Sequence, residues 1–126
     1  AVTSFIHITP AVSPIFYNNP AFQEVTWDPA SMKLINSVTY RFNGIETTGN
    51  NTWTEEYNYA GTYGVTSLDA QSLSGVWEKI GKDSVVRSYY LKYYYVGSSS
   101  KPSPWKAYWC GIRNQTPKTF TTCTCK

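Results

Sequence analysis

The residues best suited to do chemistry are one histidine, three cysteines and eight carboxylates. General acid–base catalysis and metal binding both require several such side chains to converge, but His7 has apolar neighbours and the carboxylates are dispersed along the chain. Glu55 and Glu56 would point about 100° apart on a helix, so we interpret them as a capping residue and a solvated neighbour. We predict a hydrogen-bonded structural His7, no catalytic residue and no metal ligand in this chain.

The three cysteines, Cys110, Cys123 and Cys125, all lie near the C-terminal end of the sequence. A disulfide from Cys110 to either of the other two would close a loop of about 14 residues and contribute roughly 3 kcal/mol by restricting the unfolded chain. A structural zinc site is disfavoured, because it needs four ligands and the single histidine is near the opposite end of the sequence. The remaining cysteine is predicted to be a free thiol or to form a bridge to a segment outside this chain.

The composition indicates one small domain, because 126 residues with 41% hydrophobic and 17% aromatic content can bury a single core. No run approaches the roughly 20 apolar residues of a membrane-spanning helix. The net charge of +3 comes from cations interspersed with acids, which predicts a mild preference for anions and no nucleic-acid partner. Asn50 and Asn114 begin sequons for N-glycosylation and, with the cysteines, favour a secretory origin.

The N-terminal third favours β-strands, because residues 4–8, 21–27 and 33–42 are rich in β-branched and aromatic side chains. The second and third segments also alternate as half-exposed antiparallel strands do. Asp28 and Pro29 between them predict a turn, and hence a hairpin. We expect the sheet to continue outside this chain, because the first apolar strand would otherwise have an unpaired edge.

From residue 45 onward the pattern favours helices. Thr52 and Glu55 have the spacing of a capping box, which predicts a helix that ends near a left-handed Gly64. Asp69 begins a second predicted helix, and Asp83 or Ser84 a third. Residues 105–113 are predicted to form a last short helix, followed by a coil tail. The third helix carries the tyrosine-rich segment 89–95, for which we favour core packing against a sheet or a partner domain over stacking on sugars or bases.

Three segments carry a family resemblance. Residues 8–14 read Ile-Thr-Pro-Ala-Val-Ser-Pro, residues 18–22 read Asn-Asn-Pro-Ala-Phe, and residues 62–65 read Thr-Tyr-Gly-Val. In order and spacing they resemble the C-terminal part of the acid sphingomyelinase family, over nearly the whole chain. The resemblance implies an α+β fold in which the short antiparallel strands of residues 1–44 complete a larger metallophosphoesterase sheet. Residues 45–126 would then form a C-terminal helical subdomain with a cysteine-containing tail.

The resemblance implies a secreted or lysosome/vacuole-like phosphodiesterase with two zinc ions, in which a metal-bound hydroxide attacks phosphorus. The family's Asp-x-His, Gly-Asn-His and Gly-His-x-His ligands all precede the matched segment. Zinc would therefore be bound by an N-terminal catalytic fragment, the expected partner of this chain, and this chain alone would be inactive. The abrupt start at Ala1, inside an apolar run, agrees with this expectation. Related enzymes act on sphingomyelin, nucleotide phosphodiesters or polyphosphate.

By the same resemblance, the loop of residues 10–19 lies at the rim of the substrate cleft. Its predicted rim residues are Ser13, Ile15, Phe16, Tyr17 and Asn18. Ile15 aligns with a position that is tyrosine in some relatives, so the preferred head group stays open.

The alternative prediction is a free-standing secreted carbohydrate-binding module that stacks exposed tryptophan and tyrosine rings on sugars. Saturable sugar binding by the isolated chain would favour that alternative.

Overall fold

A computed structural model describes residues 3–45, 49 and 51–125 and has an α+β fold, as predicted. Within these residues the elements are β1 (Ala21–Asp28), β2 (Lys33–Phe42), β3 (Trp53–Asn58), α1 (Tyr59–Tyr63), α2 (Ala70–Lys82), α3 (Ser84–Tyr93), α4 (Trp105–Arg113) and α5 (Pro117–Thr124). The three strands form one antiparallel sheet in the order β1-β2-β3.

The predicted hairpin between β1 and β2 is confirmed. Its turn is held by the Asp28 carboxylate, which accepts hydrogen bonds from Ala30 N at 3.0 Å and from the Ser31 hydroxyl. Because these donors stabilise the charged form, they hold the pKa of Asp28 below its usual value. The turn was therefore predicted correctly from two local signals. These are the proline at the second turn position and the aspartate that accepts hydrogen bonds from the residues after it.

Two elements predicted in the first half of the chain are wrong. Residues 4–8 are not a strand but part of an irregular segment, with Ile6 and Ile8 exposed. Strand propensity alone does not form a strand without a neighbour to pair with, and no described strand pairs with these residues. Most of the helix predicted from Thr52 to Gly64 is strand β3, in which Trp53 pairs with Phe42, and only its last part is helical, as α1. Cross-strand aromatic contact outweighed the capping-box pattern here.

The predicted helix ends are mostly correct. Gly64 is left-handed, with φ of 64°, and ends the short α1. Asp69 caps α2 by accepting a hydrogen bond from Ser72 N at 2.8 Å. Asp83 caps α3 by accepting one from Val85 N at 2.7 Å. Apolar residues of α2 and α3, together with α1, form the buried core: Tyr63, Val76, Ile80 and Tyr90.

The tyrosine-rich segment contributes to packing, as favoured above. Tyr90 is buried in the core, and its pKa is raised because burial disfavours the phenolate. The ring of Tyr93 stacks on Tyr57 of β3, with 4.4 Å between ring centroids. This ring stack joins the end of α3 to β3. The predicted boundary at residues 44 and 45 falls between β2 and β3 of this single sheet.

The tail is helical, so the predicted coil is wrong. Thr116 caps α5 in a capping box with Thr119, and Pro117 occupies the first turn. The box was overlooked because threonine takes the place of the usual glutamate or glutamine. A disulfide joins Cys110 to Cys123, with 5.8 Å between their Cα atoms, and so ties α5 to α4. Cys125 is an exposed free thiol.

Candidate functional site

The predicted rim loop has an unusual backbone. Phe16 and Tyr17 are consecutive residues with positive φ angles of 51° and 68°, a conformation that disfavours side chains other than glycine. Asn18 stabilises it, because its side-chain Nδ2 donates to Ile15 O at 3.2 Å and to Phe16 O at 3.1 Å. Ile15 N also donates to Ser13 O at 3.0 Å. Such conformations persist only where the surroundings hold them, and they are frequent at binding sites.

The loop is fastened to the segment that follows α3. Asn18 Oδ1 accepts a hydrogen bond from Val96 N at 2.8 Å, and Asn19 N donates to Val96 O at 2.9 Å. The next residue, Gly97, donates its N–H to Glu56 Oε1 on β3 at 2.8 Å. We call these five residues the loop clamp: Asn18, Asn19, Glu56, Val96 and Gly97. The clamp joins the loop, the sheet and the end of the tyrosine-rich segment in one place.

A groove of about 530 Å³ lies beside the loop, lined by Phe16, Tyr17, Asn18, Tyr94, Tyr95 and Tyr108. We call it the tyrosine groove. Its rings contact one another, with 5.9 Å between the centroids of Tyr17 and Tyr95 and 5.2 Å between those of Tyr94 and Tyr108. Phe16 and Tyr17 are 80% and 74% exposed, so both rings are available to a ligand.

The tyrosine groove is aromatic and uncharged at neutral pH. The pKa values of Tyr94 and Tyr95 are raised, because partial desolvation and the neighbouring phenols disfavour the phenolate. Of the residues that line the groove, none is a carboxylate or a cation. The groove therefore offers ring faces and hydroxyl groups for binding, and it holds no acid, base or nucleophile suited to hydrolysis at neutral pH.

Comparison with known proteins decides the family. The family described as "Acid sphingomyelin phosphodiesterase C-terminal region" matches residues 2–123. The chain belongs to this family. Sphingomyelin phosphodiesterase B of Dictyostelium discoideum is 30% identical over 105 residues, which are 81% of this chain and 16% of that protein. Human acid sphingomyelinase-like phosphodiesterase 3b is 32% identical over 100 residues, which are 70% of this chain and 22% of that protein.

A third relative, sphingomyelinase phosphodiesterase D of Dictyostelium discoideum, is 27% identical over 86 residues, or 63% of this chain and 19% of that protein. The chain therefore spans about a fifth of the length of the curated relatives it matches. Its structure describes the C-terminal region of a family of larger proteins.

The structure brings three of the five predicted rim residues of this family member to one groove, namely Phe16, Tyr17 and Asn18. Ser13 and Ile15 lie in the same loop but do not line the groove. That the loop borders a substrate cleft stays a prediction. Sequence reasoning overlooked Tyr94, Tyr95 and Tyr108 as groove residues, although the dense tyrosine run was a signal that could have pointed to them.

His7 has a structural environment, as predicted. Its Nε2 lies 2.6 Å from Gln23 Oε1, and Gln23 Nε2 donates to Thr39 Oγ1 at 3.0 Å. This hydrogen-bonded chain ties the irregular N-terminal segment to β1 and β2. Among the residues that the structure describes, no group of three or more His, Cys, Asp or Glu side chains is placed to hold a metal ion. The described residues therefore do not fit a zinc centre.

The two predicted glycosylation sites lie in different parts of the chain. Asn50 lies outside the described residues. Asn114 follows α4, and its side-chain Nδ2 donates to Cys110 O at 2.9 Å. Glycosylation at either position stays a prediction. None of the helices in the described part of the chain has the length and apolar character needed to cross a bilayer.

One face of the sheet carries a second exposed aromatic surface. We call it the aromatic sheet face and define it by Phe22, Tyr40, Phe42 and Trp53. Phe22 lies 5.2 Å from Tyr40 and 5.1 Å from Trp53, measured between ring centroids. Phe22 and Trp53 each remain 44% exposed. Tyr40 and Phe42 are half-buried, and the Phe42 ring lies close to Gly44, so the exposed part of the aromatic sheet face is formed mainly by Phe22 and Trp53.

Proposed function

We propose that this chain is the C-terminal part of a secreted or lysosome/vacuole-like, zinc-dependent phosphodiesterase that hydrolyses a phosphodiester such as sphingomyelin. The observation that carries the proposal is the family match over residues 2–123, together with relatives that are several times longer and are named sphingomyelin phosphodiesterase B and acid sphingomyelinase-like phosphodiesterase 3b. The catalytic groups would then belong to the longer protein. This chain by itself would be inactive.

The partner of the chain in this proposal is the N-terminal catalytic part of the same protein. The aromatic sheet face supports it, since exposed clusters of large rings commonly mark a surface that is covered in the complete assembly. Apart from Ala21, whose N–H donates to Ala11 O at 3.0 Å, the outer edge of β1 would also be available for further strand pairing, because β1 is an edge of the sheet within the described residues.

Two zinc ions would be held by that N-terminal part, where they would activate water and stabilise the charge that develops on the phosphate. The residues of this chain would contribute binding and orientation. The tyrosine groove supports a choline-bearing substrate, because aromatic faces attract quaternary ammonium groups. The loop clamp would hold Phe16 and Tyr17 in place for that contact.

The test measures hydrolysis by the longest natural form of the protein that contains this chain. Phe16→Leu keeps an apolar side chain and removes the ring. We expect it to raise the KM for sphingomyelin about two- to thirtyfold, since a cation–π contact contributes about 0.5–2 kcal/mol. It should leave kcat/KM unchanged for bis(4-nitrophenyl) phosphate, which has no ammonium group. Phe5→Leu, outside the loop, is the matched control.

Three outcomes would contradict the proposal. The longer protein could fail to hydrolyse any phosphodiester, or its activity could survive complete removal of zinc. The chain alone could hydrolyse the substrate. If activity is present but Phe16→Leu and Phe5→Leu behave alike on sphingomyelin, the enzyme assignment stands and the role of the tyrosine groove is wrong.

A further inference from the structure

A second groove lies among the helices, away from the rim loop. Its volume is about 640 Å³, and α2, α4 and α5 supply most of its lining. We call it the tryptophan groove, and its principal lining residues are Trp77, Trp105, Trp109, Arg87, Lys106 and Lys118. None of these residues is a predicted rim residue, and none has a role in the proposed function.

The indole rings of this groove are held rigidly. Trp77 and Trp109 stack with 4.3 Å between ring centroids and an angle of 11° between planes. Each ring nitrogen also donates to the backbone carbonyl of the other residue, in two hydrogen bonds of 2.8 Å. Gly81 lies so close that a Cβ there would meet the Trp109 ring at 2.5 Å. The disulfide between Cys110 and Cys123 fixes α5 against α4 on the same side.

Cations line the same groove. The Arg87 guanidinium lies 4.6 Å from the centroid of the Trp105 ring, and its Nε and Nη2 donate to the carbonyls of Ile80 at 3.0 Å and Gly81 at 2.7 Å. Lys106 and Lys118 enter from α4 and α5. Of the residues lining the groove, none is acidic. The groove therefore favours an anionic group placed beside flat apolar rings.

The charges of the chain are divided unevenly, and the part that forms the tryptophan groove is positive. Residues 70–126 carry nine lysines and arginines and two acids, a formal charge of +7, whereas residues 1–69 carry two cations and six acids, a formal charge of −4. The modest net charge of +3 conceals this division. The interpretation of the charges as interspersed overlooked this division. The positive charge of residues 70–126 raises the electrostatic potential around the tryptophan groove.

We propose that the tryptophan groove binds a saccharide ring that carries a sulfate or phosphate group. The Trp77 ring stacks on Trp109 and is also contacted by the Arg113 guanidinium at 4.9 Å, so the apolar C–H face of the sugar would pack on Trp105 and Trp109. Two Arg87 nitrogens already donate to carbonyls, so Lys106 and Lys118 would bind the oxyanion. Thr119 and Thr122 also line the groove, and because their hydroxyls donate to backbone carbonyls, their oxygens could serve the sugar as acceptors. A membrane surface would instead require projecting rings, whereas these three indoles are half-buried in a concave wall.

The test is calorimetric titration of the longest natural form of the protein, treated enzymatically to remove N-glycans so that a glycan on Asn114 does not cover the groove. The probe is a trisulfated heparin-type disaccharide, and lactose and inorganic sulfate are the comparison ligands. We expect the disaccharide to bind at least about tenfold more tightly than either, because it alone engages both the rings and the cations.

Two matched double variants separate the groove from general charge. Lys106→Gln with Lys118→Gln should weaken disaccharide binding about tenfold. Lys79→Gln with Lys101→Gln removes the same charge from lysines that do not line the groove, and should change the affinity less than about twofold. Trp105→Leu should abolish the advantage of the disaccharide over sulfate. Melting curves would show that each variant is folded.

Equal losses in the two double variants would overturn the proposal in favour of unspecific charge attraction. It would also be overturned if lactose or sulfate bound as tightly as the disaccharide. In a further arm, vesicles of phosphatidylcholine with phosphatidylserine replace the disaccharide. Vesicle binding that depends on Lys106 and Lys118, without disaccharide binding, would assign the groove to a lipid surface instead. Since the groove shares no residue with the tyrosine groove, either result leaves the proposed function untouched.

Discussion

Gly97→Ala should destabilise the loop clamp by more than the cost of placing alanine in the left-handed backbone conformation of residue 97. Gly97 has a φ of 66°, and a left-handed alanine costs about 1–2 kcal/mol. Its Cβ would also lie 2.4 Å from Asn19 Nδ2 and 2.9 Å from Arg41 Nη1. Asn19 is buried, so its amide has little room to move. With one clamp hydrogen bond weakened, at about 1 kcal/mol, the total loss is about 2–3 kcal/mol.

The assay is hydrogen exchange of the backbone amides of Asn19 and Val96, whose N–H groups both belong to the clamp. The predicted loss corresponds to exchange that is faster by about 30- to 150-fold at these amides. Gly64→Ala is the control, because Gly64 has a φ of 64° and open space around it. It should lose only the backbone term of about 1–2 kcal/mol at its own cap, and nothing at Asn19.

A second control should change stability in the opposite direction. Gly75 lies within α2 and has open space around it, so Gly75→Ala should stabilise the helix by about 0.5–1 kcal/mol. The reasoning about Gly97 is refuted if Gly97→Ala slows exchange at the clamp, or if its loss there is no larger than the loss that Gly64→Ala produces at the α1 cap.

Three further predictions concern the helices. Cys110→Ser should destabilise the α4–α5 pair by about 3 kcal/mol, because it opens a loop between residues 13 positions apart; alkylation of the unreduced protein should label Cys125, and a failure to do so would contradict the pairing. Hydrogen bonds from Ser72 N and the Ser67 hydroxyl lower the pKa of Asp69. The stabilisation that Asp69 gives α2 is therefore complete above about pH 4 and is lost as the pH falls through the lowered pKa. Asp69→Asn keeps the cap, so on acidification the amide protection of α2 should fall less in this variant than in the wild type. Ile80→Ala should cost about 2–5 kcal/mol in thermal or denaturant unfolding, as a buried large-to-small change, and a loss below about 1 kcal/mol would show that this core is loosely packed.

The elements that sequence predicted well are those with local signals. Asp28 with Pro29 specifies a turn, while Asp69 and Asp83 each supply a side-chain acceptor for an exposed helix start. The period of α2 placed Val76 and Ile80 on one buried face. Each of these signals acts over a few residues and needs no distant partner.

The elements that sequence predicted wrongly depend on distant contacts. Trp53 belongs to a strand because Phe42 and Phe22 offer ring contacts across the sheet, and no local pattern contains that information. Conversely, residues 4–8 have strand-forming side chains but no described strand beside them. The sequence left two possible disulfide partners for Cys110, and only the docking of α5 on α4 shows that the partner is Cys123 and not Cys125.

The candidate sites show the same division. The rim residues could be proposed from a resemblance, but their groove partners come from α3's end and from α4, about 80 to 90 positions away in sequence. The tryptophan groove likewise joins α2 to α4 and α5. Composition indicated many aromatic residues and a small net charge. It could not show that three indoles meet three cations on the basic half of the chain.

The position of the loop clamp has a mechanical consequence for the two predicted halves of the chain. Asn18 and Asn19 precede residue 44, whereas Val96 follows it, and the two hydrogen bonds between them cross that predicted boundary. The strand pairing of β2 with β3 crosses it as well. A displacement of the sheet against the tyrosine-rich segment would therefore stretch bonds that hold Phe16 and Tyr17. Because the aromatic sheet face lies on the opposite side of that sheet, a partner that docks there would hold the same strands to which the rim loop is fastened.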